Sequence, residues 1–347
     1  MKKATSVILA AALFVTFLAG CGSKKQEVVN VYNWGEYIDE ELFAAFEEET
    51  GIKVNLLTYE TNEQLYSVLK QGGVNYDVIF PSDYMIARMI EEGMLEKLDF
   101  ANIPNCEHIE DEFKGMSYDP AGEYSVPYTW GTVGLIYNSA LIDEEPTSWG
   151  ALFDPKYRGQ ILMFDNSRDA MGIALRYLGY SINTTERAEL DEAFGLLKMQ
   201  KPLLQAYVMD QIFDKLEGNE AMIGPYYAGD YLTMVESNPD LVFVVPEEGS
   251  NRFVDCMCVP KGAANKKNAE LFIDFMCRAD SSFANSMYIG YTSPVAEVRD
   301  MFEEELDEYE FGVMYPSDEV LERCEYFEHL PQDILELYNE YWVLLKS

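Results

Sequence analysis

The sequence is poor in positive charge and in histidine. Its 347 residues carry 25 Lys and Arg against 61 Asp and Glu, with 2 His, for a formal net charge of −36. No run of Lys or Arg exceeds a pair. Binding to nucleic acid or to an anionic lipid surface requires a basic face, and this chain has no material for one. With only His108 and His329 available and no C-x-x-C, a metal site of the His/Cys kind is not expected, and no cofactor is called for. The signatures of common catalysts are missing as well: no G-x-S-x-G elbow, no G-x-x-x-x-G-K-[ST] loop, no H-E-x-x-H, and no G-x-G-x-x-G after a strand. Among 61 acids nothing selects a carboxylate pair for glycoside chemistry, so no catalytic residue is assigned and an enzyme is not expected. Repeats of fixed period, Pro-rich linkers and low-complexity tracts are also missing, which favours intimately connected lobes over beads on a string.

Cysteine is sparse. Of the 6, Cys21 falls in the N-terminal segment, and the remaining five, an odd number, cannot all pair internally. Cys256 and Cys258 alternate within an apolar run and share one face of an expected strand, where they pack as small hydrophobes. A disulfide scaffold is excluded on this reading.

What is present is core material: 48% hydrophobic and 14% aromatic residues, including 24 Tyr and 19 Phe, enough for two globular domains. The N-terminus begins Met1-Lys2-Lys3 and continues apolar over 4–19, shorter than the roughly 20 residues of a membrane span, as in an export signal covering 1–20. Leu18-Ala19-Gly20-Cys21 resembles the lipobox of bacterial lipoproteins. That resemblance implies diacylglyceryl modification of Cys21, with 21–27 as a short tether and two acyl chains holding the protein at a membrane.

Past the tether, strand-like and helix-like patterns alternate. Strands are expected at 28–32, 52–59 and 77–80 and helices at 39–50, 62–71 and 85–92, the last closed by Gly93. After Gly131 the alternation resumes. Strands are expected at 133–137, 161–164, 221–223, 242–246 and 254–260, and helices at 169–180, 185–200, 227–236 and 266–278. The acid-rich stretch 300–310 reads as solvated surface. This order argues for α/β lobes with helices on both sheet faces.

Aromatic residues recur beside polar or acidic ones at the expected strand ends, where open α/β sheets hold ligands. The segments are Asn33-Trp34-Gly35-Glu36-Tyr37, Pro81-Ser82-Asp83-Tyr84, Pro127-Tyr128-Thr129-Trp130-Gly131, Pro225-Tyr226-Tyr227, Phe253-Val254-Asp255 and Gly290-Tyr291-Thr292-Ser293-Pro294. Together with TGIKVNLLTYETNEQLYSVL and LRYLGYSINTT, in this order and spacing, they resemble the spermidine/putrescine-binding proteins of bacterial polyamine importers, from about residue 28 to the C-terminus.

The resemblance implies a two-lobe periplasmic-binding-protein fold of type II, each lobe a mixed sheet flanked by helices, with a ligand cleft between them. It also implies a polyamine ligand, and an ABC permease with its ATPase as partners of a monomeric receptor. Lobe 1 is expected over 28–132 plus 256–302 and lobe 2 over 133–255 plus 303–347, with hinges near 131–133 and 253–255. Position by position, Trp34 and Tyr37 match the first aromatic pair of the family, and Ser82 and Tyr84 its PS-x-Y contacts. Asp169 matches an acid at the start of a second-lobe helix, Asp255 the acid that grips an amine, Phe253 a Trp wall, and Tyr291 the late aromatic. Glu328, counted back from the C-terminal tyrosines, falls where the family often has Gln. Asp83 joins them as a candidate counter-charge. Two positions depart from the pattern: Asn166 replaces a common carboxylate, and a Trp is missing from 222–227, where Tyr226 or Tyr227 takes its place.

Such residues suit a methylene chain bearing ammonium groups, since a buried ammonium requires a carboxylate and a ring face covers CH₂ groups. A receptor of the same fold for another small solute is the alternative, but an anionic or zwitterionic solute calls for Arg and backbone N–H groups at the strand ends. From other classes, an exported hydrolase lacks a nucleophile or metal site, and an adhesin lacks repeats or a stalk.

Overall fold

The computed structural model describes residues 26–347; the expected signal segment, Cys21 and most of its tether lie outside the described residues. Strand β1 (Glu27–Trp34) and strand β2 (Ile52–Tyr59) run parallel in unbroken register from Glu27↔Ile52 to Trp34↔Tyr59. Helix α1 (Glu41–Thr50) joins them and stops where Gly51 turns left-handed at φ 73°, a conformation that favours glycine. Helix α2 (Asn62–Gln71) starts at Thr61, whose hydroxyl accepts from the Gln64 N–H, and is followed by β3 (Val78–Ile79) and α3 (Asp83–Glu91).

Strand β4 (Ser125–Asn138) carries the chain from one lobe to the other. The second lobe follows with β5 (Ile161–Phe164), α4 (Ser167–Tyr177), α5 (Arg187–Gln200), β6 (Leu204–Val208), α6 (Ile212–Glu217), β7 (Ile223–Tyr227), α7 (Ala228–Ser237) and β8 (Leu241–Val244). Strand β9 (Arg252–Cys258), α8 (Lys266–Met276) and α9 (Ala279–Ile289) return to the first lobe. Then come α10 (Ala296–Glu305), α11 (Glu308–Met314), α12 (Asp318–Glu322) and α13 (Gln332–Lys346).

The strand order is β2-β1-β3-β9-β4-β7-β5-β6, with β8 also on β4. The N-terminal half of β4, Ser125 to Thr132, pairs antiparallel with β9, and its C-terminal half, from Val133, pairs with β7 and β8. The first crossing between lobes therefore falls at Thr132 and Val133, within the span expected for a hinge. The second crossing precedes β9, at 245–251, because Phe253, Val254 and Asp255 are paired with Gly131, Trp130 and Thr129. Residues 252–255 thus belong to the first sheet, where the sequence reading set them in the second lobe. A third crossing runs through Glu325, whose carbonyl accepts from the Arg252 N–H at 2.9 Å and whose N–H donates to the Ser250 carbonyl at 2.9 Å.

Both faces of the first sheet are buried. Val29, Val31, Phe46 and Phe272 fill one layer; Tyr32, Ile79, Met85 and Ile86 fill the other. Cys256 and Cys258 lie together in that second layer as free thiols. The second lobe packs Ile136, Trp149, Leu162, Phe164 and Ile223 into one cluster that α13 closes with Leu337 and Tyr338. Burying a side chain such as Phe46 contributes about 1.5–3 kcal/mol.

Three expectations from sequence change. The segment 127–131 is part of β4 rather than a strand-end loop. Strand β7 begins at Ile223 and extends to Tyr227, later than the 221–223 expected. The stretch 300–310 is solvated but helical, its acids exposed on α10 and α11 while Phe302, Val313 and Met314 face inward.

Candidate ligand cleft between the lobes

The C-terminal ends of β1, β2 and β3 open on one side of a cleft, and those of the parallel β5, β6 and β7 open on the other. Each strand end delivers a functional side chain. From β1 and β2, paired as Trp34↔Tyr59, come two rings 4.7 Å apart. Both are anchored on the Phe80 carbonyl, which accepts from the Trp34 indole at 2.8 Å and the Tyr59 hydroxyl at 2.6 Å. After β1 the chain turns through Glu36 at φ 46°, a left-handed conformation uncommon for a side-chain-bearing residue, and this delivers Tyr37 to the cleft floor.

Asp255 is the best-defined carboxylate. It is buried on β9 beside Ser82, and its Oδ2 accepts from the Tyr37 hydroxyl at 2.7 Å. Its Oδ1 is buried with no partner. Burial pushes its carboxyl up to about 6, against the lowering effect of the neighbouring Ser82 and Tyr37 hydroxyls.

Asp169 matches it across the cleft. Asn166 caps α4 by accepting from the Asp169 N–H at 2.8 Å and returns its own amide to Asp169 Oδ2 at 2.8 Å. The Tyr227 hydroxyl donates to the same oxygen at 3.2 Å, while Oδ1 is buried and unpartnered. Burial, partly offset by those hydrogen bonds, pushes this carboxyl also up to about 6. Asn166, in place of a carboxylate, therefore orients Asp169. Asp83 is almost wholly enclosed: its Oδ1 accepts from the Tyr84 N–H at 2.6 Å, its Oδ2 is buried with no partner, and burial raises its pKa.

Tyr84 donates to Glu63 at 3.1 Å, and Phe253 stands between Tyr227 and Tyr291, with ring centroids 5.5 and 6.1 Å away. The structure thus brings Trp34, Tyr37, Ser82, Asp83 and Tyr84 together with Asp169, Tyr227, Phe253, Asp255 and Tyr291 around one cleft. Glu328 does not join them. Its side chain is exposed, and its carbonyl accepts from Arg168 at 3.2 Å; the preceding Phe327 lines the wall instead. Tyr128 and Trp130 are also absent from the lining, because they are buried within the first lobe.

Sequence reading missed several lining residues. Tyr226 and Tyr227, expected as alternatives, both face the cleft, and Tyr226 donates at 3.2 Å to Asp210, which follows β6 and which the sequence reading did not name. Asp230, in the first turn of α7, accepts from Tyr291 at 2.7 Å. It lies three residues beyond Tyr227 in an already recognised strand-end segment, so the rule that located the rings could have located it. Arg168 lines the same space with its guanidinium 4.9 Å from the Tyr84 ring centre and 4.4 Å from that of Phe327, a cation from the second lobe held against a ring of the first. Among the described residues it is the single cation of the lining, which includes seven acids: Glu60, Glu63, Asp83, Asp169, Asp210, Asp230 and Asp255. Chemically the arrangement fits a slender apolar chain with positive groups.

The chain matches the bacterial extracellular solute-binding protein family over residues 41–310. It is 32% identical to the spermidine/putrescine-binding periplasmic protein of Salmonella typhimurium, with 100% of this chain and 99% of that one covered. Among solved structures, the spermidine/putrescine ABC transporter substrate-binding protein PotD of Streptococcus pneumoniae superposes with a TM-score of 0.80 at 36% identity, covering 92% of this chain and 98% of that one. The TpPotD lipoprotein of Treponema pallidum does so with a TM-score of 0.82 at 27% identity, covering 92% and 99%. These likenesses bear out the two-lobe α/β fold, and the chain belongs to the bacterial extracellular solute-binding protein family.

Proposed function

We propose that this protein is a receptor that captures a polyamine between its lobes and delivers it to an ABC permease driven by an ATPase. The observation that carries this reading is the pair of buried carboxylates, Asp169 and Asp255, each with one unpartnered oxygen in a cleft walled by Trp34, Tyr37, Tyr84, Tyr227 and Tyr291. Removing an ionised carboxylate from water is tolerated when a counter-charge arrives, and an ammonium supplies both charge and donors. A hydrogen bond to a charged group is worth about 1.5–3 kcal/mol, a desolvated cation over a ring about 0.5–2, and each covered methylene about 0.8. Three of each come to about 8–17 kcal/mol, enough for the roughly 8 kcal/mol of a micromolar site with a surplus for ordering a flexible ligand.

The names of the relatives support the same ligand class, and their naming as binding proteins supports a role in capture rather than catalysis. In this reading the receptor is a monomer exported by its signal segment and tethered by lipid on Cys21. Closure of the lobes completes the site, because Asp169 and Tyr227 stand on one side and Trp34, Tyr37 and Tyr84 on the other, and the closed form is the one the permease recognises. Spermidine at about one hundred times its dissociation constant should raise the unfolding free energy by about 2.7 kcal/mol, seen as a higher melting temperature. Zwitterionic amino acids at the same concentration should leave the melt unchanged. A shift with amino acids and none with spermidine contradicts this function.

A further inference from the structure

We propose that one end of the cleft, at Arg168 and Asp83, is built for a neutral amide rather than an ammonium, and that the receptor therefore takes mono-N-acylated polyamines as well as free ones. This rests on the polyamine reading above and extends its ligand class.

In a cleft for cations, a buried cation needs a reason. Arg168 is only 5% exposed. It leaves the first turn of α4 beside Asp169, but the two side chains go to different neighbours. Asp169 meets Asn166 and Tyr227, whereas Arg168 reaches Tyr84 of the first lobe, Phe327 beyond the third crossing and Tyr338 of α13, with ring centres 4.9, 4.4 and 5.6 Å from its guanidinium carbon. The rings offset part of its charge. They leave its N–H groups without a carbonyl-type acceptor. Among the described residues its one hydrogen-bond acceptor is the Glu328 carbonyl, 3.2 Å from Nη2, and both Nε and Nη1 are buried with no partner. Donors enclosed in this way cost free energy until an acceptor arrives.

That acceptor is not an ammonium, which like the guanidinium has donors only. A carboxylate is poorly suited, because seven acids share the lining and like charges in one enclosed space oppose each other. Asp83 narrows the choice further. It opens α3 on the other lobe, is 1% exposed, and its Oδ2 is buried with no partner. Burial raises its carboxyl, Asp255 adds to the rise and Arg168 opposes it, so Asp83 stands within the field of both. A secondary amide carries a carbonyl for Arg168 and an N–H for Asp83. An ammonium serves only Asp83, and a carboxylate serves only Arg168. The ammonium groups of the same ligand are left for Asp169 and Asp255, each with its own unpartnered oxygen. Because Arg168 and Asp83 come from different lobes, closure grips the amide from both sides.

The test is calorimetric titration of the purified protein with putrescine, N-acetylputrescine, spermidine and the two terminally acetylated spermidines, in the wild type, in Arg168→Met and in Arg168→Lys. The wild type should bind N-acetylputrescine, and at least one of the acetylated spermidines, within about tenfold of the parent amine. In Arg168→Met the acetylated ligands should lose at least about tenfold relative to their parents, since the change removes donors from the amide and a like charge from the amine. Arg168→Lys, which keeps a charged donor, should retain most of the acetylated binding, and the wild-type comparison carries the test if the Met variant fails to fold. A wild type that binds the free polyamines and gives no heat with the acetylated ones, or an acetylated-to-free ratio unchanged in Arg168→Met, would overturn the proposal while leaving polyamine capture standing. A wild type that binds neither kind overturns the receptor reading itself, and this proposal with it.

Discussion

Asp255→Asn should weaken spermidine binding by at least about 2 kcal/mol, roughly thirtyfold, with no loss of fold. The substitution preserves shape: an Asn oxygen at the Oδ2 position still accepts from Tyr37, whose hydroxyl lies 2.7 Å away. What it removes is the negative charge at the unpartnered Oδ1, and what it introduces there is an amide whose donors oppose an ammonium. The free protein should not suffer, since burial already penalises the ionised carboxylate and pushes its pKa up to about 6. Titration calorimetry together with a thermal melt separates the two effects. Unchanged affinity would mean that Asp255 does not face the ligand; a fall in affinity that follows a fall in melting temperature would assign it a structural role.

The second large effect is a pair of opposite pH trends. In the ligand-free protein burial raises Asp169 and Asp255 to about 6 and Asp230 to about 7, all above the roughly 3.9 of an unfolded Asp. A carboxyl with a raised folded pKa favours the folded state in its protonated form. Its contribution is complete below about pH 4 and is lost as pH rises through 6 and, for Asp230, through 7. At about 1.4 kcal/mol per pKa unit, the three groups together make the empty receptor more stable at pH 5 than at pH 8 by several kcal/mol. His329 works against this trend, because burial lowers its pKa, but it is one partly exposed group. The ion-paired Glu92, held down to about 2 by Lys70, Tyr66 and Arg88 against the effect of burial, stays ionised throughout this window.

Ligand binding runs the other way. An ammonium requires the ionised carboxylates, so affinity should fall as pH drops from 7 to 5 while the melting temperature of the empty protein rises. Melts and titrations across pH 5–8 check both. Parallel trends, or affinity independent of pH, would contradict the assignment of buried acids as counter-charges.

Much of this was legible in the sequence, for identifiable reasons. Strands β1 and β2 and helices α1 and α2 have clear periods and a Gly51 stop, so their ends, and the Trp34 ring at the end of β1, could be placed. Asp255 was found because, beside Phe253, it matches the position of the family's amine-gripping acid. Strand β4 was harder. Buried on both faces through 14 residues, it lacks alternation, and its Tyr128 and Trp130 looked like cleft rings when they are core. Glu328 was misplaced because it was located by counting back along a C-terminal stretch with few internal markers, and Phe327 took the position on the wall. Asp210 follows β6, a strand that the sequence reading did not recognise. Asp230 went unnoticed because its segment was read for rings alone.

The acid excess with which the sequence presents itself is mostly solvation, as in the exposed acids of α10 and α11. The functional part is the handful of carboxylates enclosed with rings between the lobes. The central claim is tested most directly by calorimetric titration of the purified protein with spermidine, putrescine and a panel of amino acids at neutral pH. The account predicts saturable heat at micromolar or tighter affinity with a polyamine and none with the amino acids. Binding of an amino acid with no polyamine heat would contradict it.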